Sequence, residues 1–186
     1  MIGDEFMPNI SSHMAVAKKV SELLKINSED FYKSNIIPDL YRNKFKSHFK
    51  TAGERYLIPD IVVVKNNLNL NNMKDLGKFV HLMLDYYYLE DYLDEINDNV
   101  FINDNIYNDY DIINDLIIKK FNINISYLEN ILLSIDDDID RDLLFYNLEC
   151  LKKNKNGVLK YLEEKKFLSF LENVSYKICD DIKNNI

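Results

Sequence analysis

The 186-residue chain has no tryptophan and only three histidines, two cysteines, three prolines and four glycines. Cys150 and Cys179 lie far apart, with no CxxC spacing and no clustering with histidine, which excludes a disulfide framework and a thiolate zinc site. Both thiols are expected to be buried and chemically idle. Pro8, Pro38 and Pro59 all fall in the first third, and beyond them only Gly77 and Gly157 interrupt the sequence, so long helices can run there. No apolar run approaches the ~18 residues that a membrane-spanning helix needs, so no stable membrane insertion is expected. Basic residues are also short, 23 against 31 acidic, for a net charge of -8. Such a surface repels nucleic-acid duplexes and anionic lipid. The Met1-Ile-Gly-Asp-Glu-Phe start has neither a basic segment nor an apolar stretch of export-signal length, so the expected location is cytoplasmic.

What remains is a chain rich in apolar residues (47%) and aromatics (12%), enough for one packed core over residues 1–186. Val16, Val20, Leu23 and Leu24 share a face of a helix over 12–24, with Ser11 or Ser12 as its cap. Met73, Leu76, Val80, Leu84 and Tyr87 form an apolar stripe over 72–96. Three further helices follow from Ile106, Tyr110, Ile113 and Ile117, from Ile139, Leu143, Tyr146 and Cys150, and from Phe167, Phe170, Val174 and Ile178. Ile58 to Val64 reads either as a short helix or as an extended connector, while the Asn- and Asp-rich stretches 66–72 and 96–109 read as loops. The expected fold class is all-α, a single-domain multi-helix bundle.

The chemistry has few candidates. His81 and Asp85 are four apart on one helix, hence on one face about 5–6 Å from each other, with Gly77 one turn earlier. Such a pair either shares a metal ion or makes a structural histidine–carboxylate hydrogen bond. Gly77 permits close approach of another helix or a metal. His13 is in register with Val16, Ala17 and Val20 and so faces inward, as a core or capping histidine or as a ligand. An imidazole there needs a partner. His48 lies among lysines and a phenylalanine, where the plain reading is a solvated surface residue. Asp39 follows Pro38 at a rigid turn, where an aspartate commonly caps the next helix.

Taken in order, Met7-Pro8 before Ser12-His13, Asn35-Ile-Ile-Pro-Asp39, Ser47-His48-Phe49 and Gly77-x3-His81-x3-Asp85 resemble the zinc-dependent phospholipase C family, itself similar in fold to single-strand-specific zinc nucleases. The resemblance covers residues 7 to about 95, leaving 96–186 as additional packing helices. It implies an all-helical fold around a zinc cluster. His48, His81 and Asp85 would hold one zinc, Asp85 would bridge to a second that His13 also binds, and Asp39 would orient or deprotonate the attacking water. Imidazole and carboxylate are normal zinc ligands, although another divalent ion is compatible with the same donors. No histidine follows His81, so later ligands of the family have no counterpart. Asp109 and Asp111 occupy that part of the chain as candidate substitutes, or as surface residues of an acidic protein. The implied activity is hydrolysis of a small phosphoester by metal-activated water. A non-catalytic helical binding or regulatory protein with a vestigial or structural metal site is the alternative. The oligomeric state is not encoded in these patterns.

Overall fold

The computed structural model describes residues 7–52, 57–93 and 105–185. It is mostly helical, 73% helix with a single two-stranded sheet among the described residues, as an all-α fold requires. Helix α1 spans Ile10–Leu24 and α2 spans Glu29–Ile36. A 3₁₀ turn, Ile37–Leu40, leads to the single turn α3, Lys44–Ser47. Strands β1 (Lys50–Ala52) and β2 (Leu57–Pro59) pair antiparallel, with Thr51 opposite Ile58. Then come α4 (Ile61–Asn67) and α5 (Met73–Tyr87), the latter continuing into a π-helical turn at Tyr88–Tyr92. The second half contains α6 (Asn105–Lys120), α7 (Ile125–Leu133), α8 (Arg141–Lys152) and α9 (Glu164–Asn185).

The local chemistry accounts for most of the boundaries. Helix α1 is capped by Asn9, whose side-chain oxygen accepts the Ser12 amide, and not by Ser11 or Ser12, which are wound into the helix. Asn43, Asn72 and Asn124 cap α3, α5 and α7 in the same way, and Ser28, Asp60 and Asp140 cap α2, α4 and α8. Ile58 to Val64 is both things the sequence allowed. Its first residues close the hairpin, and Asp60 then starts α4. The loop expected over 66–72 begins only after Asn67, and in the one expected over 96–109 residues 105–109 are helical, the rest lying outside the described residues.

One continuous apolar core draws on both halves of the chain. Helix α5 packs most extensively on α2, and α1 lies against α2, α5 and α9. Each fully buried side chain such as Val16, Phe31 or Leu84 contributes about 1.5–3 kcal/mol on leaving water. The α2–α5 contact is unusually close. A β-carbon built on Gly77 would stand 2.3 Å from the Phe31 carbonyl oxygen, so only glycine admits this approach. The neighbour that Gly77 accommodates is therefore a helix. Some expected core residues differ from the pattern: Leu23 is exposed at the end of α1, Tyr146 is 59% exposed, because α8 is turned to bury Leu144, Leu148 and Leu151 instead, and Cys150 is only half-buried. Cys179 is buried. Among the described residues no helix is long and apolar enough to cross a membrane.

Candidate metal centre

Four stretches of chain deliver five side chains to one place. His13 comes from the first turn of α1, Asp39 from the 3₁₀ turn, His48 from the end of α3, and His81 and Asp85 from successive turns of α5. His13, His48, His81 and Asp85 have no exposed surface, and Asp39 is 8% exposed. His48 is thus a buried residue and not the solvated one its basic surroundings suggested. The chain turns sharply just after it, with Phe49 held at φ 48°, a left-handed conformation uncommon for a bulky residue. The Phe49 carbonyl accepts the Asp60 amide at 2.9 Å, anchoring that turn against the start of α4.

The Nε2 atoms of all three imidazoles point at the carboxylates. His13 Nε2 is 3.4 Å from Asp85 Oδ1 and 3.9 Å from Asp39 Oδ2. His48 Nε2 is 3.5 Å from Asp39 Oδ1 and 3.6 Å from Asp85 Oδ2, and His81 Nε2 is 3.4 Å from Asp85 Oδ2. The rings of His13 and His81 stack with centroids 3.9 Å apart. Two triads, His13–Asp39–His81 and His48–His81–Asp85, each offer ligand atoms lying within 4.8 Å of one another.

Backbone groups fix the tautomers. His81 Nδ1 is 2.6 Å from the Asn35 carbonyl oxygen, which can only accept, so Nδ1 carries the proton and donates. His48 Nδ1 likewise donates toward the Lys44 carbonyl at 3.1 Å and the Ser47 hydroxyl at 2.9 Å. In the neutral rings each Nε2 is then a bare lone pair, yet these two atoms stand 3.1 Å apart. Two lone pairs facing at that distance repel unless positive charge sits against them, either a proton or a metal ion. Outer carbonyls that orient a histidine through Nδ1 are the usual support of a metal-ligating imidazole. Neither nitrogen of His13 and neither oxygen of Asp85 makes a hydrogen bond, although all are buried. Buried polar atoms in that condition are rare and costly, and a cation among them would satisfy His13 Nε2 and the Asp85 oxygens together. His81 has a single free lone pair, so the two triads share one ligand atom and form one cluster.

The electrostatics agree with this geometry. Burial, reinforced by the neighbouring His81, pushes His13 down to about 3. Burial also lowers His48. Both imidazoles are therefore neutral and able to ligate near pH 7. Burial opposes charge on His81 as well, but Asp85 and Asp39 outweigh it and raise its value. Burial works against charge on Asp85, where His81 and then His13 prevail and lower it. At Asp39 the opposition of burial is overcome by Lys44, whose Nζ is 3.3 Å away, and then by His81, so the carboxyl lies well below its usual range.

The remaining candidates lie elsewhere. Asp109 is fully buried, which corrects its reading as a surface residue. Its carboxylate accepts the backbone amides of Lys160, Tyr161 and Leu162, a structural task that leaves it outside the cluster. Asp111 pairs with Lys153 at 3.4 Å and is likewise absent from the cluster. Two supporting residues carried no sequence signal of their own role: Asn35, which also donates from Nδ2 to the Gly77 carbonyl, and Lys44. The buried His and Asp groups could hold a metal ion, and the cluster leaves the ion's identity open. Compared with known protein families, curated proteins and solved structures, the chain shows no match.

Proposed function

We propose that the protein is a metal-dependent hydrolase of phosphoesters, of the kind implied by the resemblance to the zinc-dependent phospholipase C family. One observation carries the reading: three imidazoles, each with its Nε2 within 3.6 Å of an Asp85 carboxylate oxygen, and two carboxylates meet in a buried cluster, and only Asp39 among the five retains exposure. A bound zinc or similar ion supplies positive charge that offsets the phosphate's own and makes a water acidic enough to attack phosphorus near neutral pH. His48, His81 and Asp85 would hold the ion, with His13 and Asp39 completing the cluster on the other side of His81. Asp39 stands at the edge of the cluster and orients the attacking water. Lys44 Nζ, beside Asp39, faces the incoming anion.

A second reading has a specific observation in its favour. His13, His48, His81 and Asp85 are completely enclosed, as in a structural site with every coordination position filled by protein. In that case the ion staples α1, α3 and α5 together and the protein is a binding or regulatory module. Metal content of protein purified without chelator, followed by hydrolysis of an aryl phosphomonoester and an aryl phosphodiester, separates the two. Chelator-sensitive turnover that Asp39→Asn reduces at least tenfold supports the hydrolase. Metal at full stoichiometry with no turnover supports the staple, and protein that takes up no ion under any condition refutes both.

A further inference from the structure

The buried cluster reaches solvent space at Asp39, and a cavity of about 200 Å³ opens there. Its near wall is Asn9, Ile10, Asp39 and Lys44, and its far wall comes from the second half of the chain, where the sequence offered only packing helices. Tyr107 of α6 is 38% exposed and Tyr146 of α8 is 59% exposed on that far wall. Lys153 lies over the Tyr146 ring at 5.7 Å and pairs with Asp111. Among the contacts that tie the far wall to the metal-binding half, one lies next to Asp39. The Asp140 amide donates to the Leu40 carbonyl at 2.9 Å, next to Asp39, and Arg42 binds the Asp140 carboxylate. Lys44 and Lys153 offset Asp39 and Asp111 within the cavity, so an anion is not repelled there despite the net charge of -8.

We propose that this cavity is the leaving-group subsite, and that it restricts the substrate to a small water-soluble phosphomonoester of a flat, unsaturated alcohol. The inference rests on the hydrolase reading. A cavity of about 200 Å³ has room for a phosphate and one ring. The phosphate end lies toward Asp39 and Lys44. The ring end meets the exposed tyrosines, and Lys153, already over the Tyr146 ring, is the specificity-determining residue whose ammonium is offered to the face of the bound ring. Aromatic side chains favour offset-stacked or edge-on partners, which a flat leaving group provides and a saturated one does not.

Cys150 lines the same cavity and reports its occupancy, while buried Cys179 serves as the internal reference. Zinc-loaded full-length protein is alkylated with iodoacetamide in the presence of phenyl phosphate, cyclohexyl phosphate or inorganic phosphate, and the two cysteine-containing peptides are quantified by mass spectrometry. Phenyl phosphate is expected to slow Cys150 alkylation at least fivefold without changing Cys179, and cyclohexyl phosphate and inorganic phosphate to do so only at higher concentration. Lys153→Met should raise the half-protecting concentration about three- to fivefold, the effect of one partly exposed charge, and Lys153→Arg should restore it. Calorimetric titration of phenyl phosphate into the same variants repeats the comparison without relying on the thiol. Turnover of phenyl phosphate with no protection of Cys150 and no effect of Lys153→Met overturns the subsite and leaves the hydrolase reading standing. Protection without metal uptake or turnover overturns the hydrolase reading and the leaving-group role with it.

Discussion

Replacing Asp85 with asparagine tests the metal centre at its middle, because Asp85 approaches the Nε2 atoms of all three histidines at 3.4 to 3.6 Å. The substitution keeps shape and removes charge. In wild-type protein stripped of metal, zinc at a thousandfold excess over its dissociation constant stabilises the folded state by about 4 kcal/mol. For a chain of this length each kcal/mol moves the melting temperature by about 2–4 °C, so the expected rise is about 8–16 °C. Asp85→Asn removes a ligand and the negative charge that offsets the ion, and most of that rise should vanish. The same variant without metal should itself melt lower, because loss of one partner from a buried charged pair costs about 3–5 kcal/mol. Differential scanning calorimetry of both proteins, with and without zinc, measures the two effects separately. An equal zinc-induced rise in both proteins, at equal stoichiometry, would show that the ion binds elsewhere and would refute the assignment.

Other perturbations act on the supports. Gly77→Ala places a methyl group 2.3 Å from the Phe31 carbonyl oxygen and must push α2 from α5, costing about 1–3 kcal/mol or more by overpacking. Because Asn35 on α2 holds His81, zinc affinity should fall with stability, and zinc titration of the folded variant would detect an unchanged affinity if the coupling were absent. Asp109→Ala leaves three buried or half-buried amides without their acceptor and should cost at least about 3 kcal/mol in denaturant unfolding while metal content stays at the wild-type value. For chelated protein, His13 and His48 have folded values below those of the unfolded chain, so the unfolded state binds protons first and stability falls as pH drops from about 6.5. The lowered carboxyls of Asp39 and Asp85 pull the same way at lower pH, and only His81 pulls against them. Urea midpoints should therefore decline from pH 7 to pH 4, and a flat or rising profile would contradict neutral His13.

The parts of this arrangement visible in the sequence were those carried by local spacing. The His81–Asp85 pair and the inward face of His13 follow from helical period alone, and the order of the motifs proposed His48 and Asp39 as their partners. Burial of His48 was invisible, since it depends on the chain folding back at Phe49 and on the hairpin that covers it. Helices α2 and α7 were missed because each is short, eight and nine residues, too little for a periodicity argument. Their caps were readable: Ser28 precedes Glu29 and Asp30, and Asn124 precedes an apolar run. Asparagine, read as a loop former over 66–72, starts α5 at Asn72 and likewise caps helices from Asn9, Asn43 and Asn124. Asp109 was misjudged because acidity argues for the surface, whereas the three amides it satisfies come from residues about fifty positions later.

Helix α1 carries His13 at its beginning and lies along α9, the last helix of the chain. Anything that pins His13 therefore acts on backbone more than 150 positions away in sequence. Amide hydrogen exchange should register that link as slower deuterium uptake in α1, α2, α5 and the stretch of α9 beneath α1 once the ion is present.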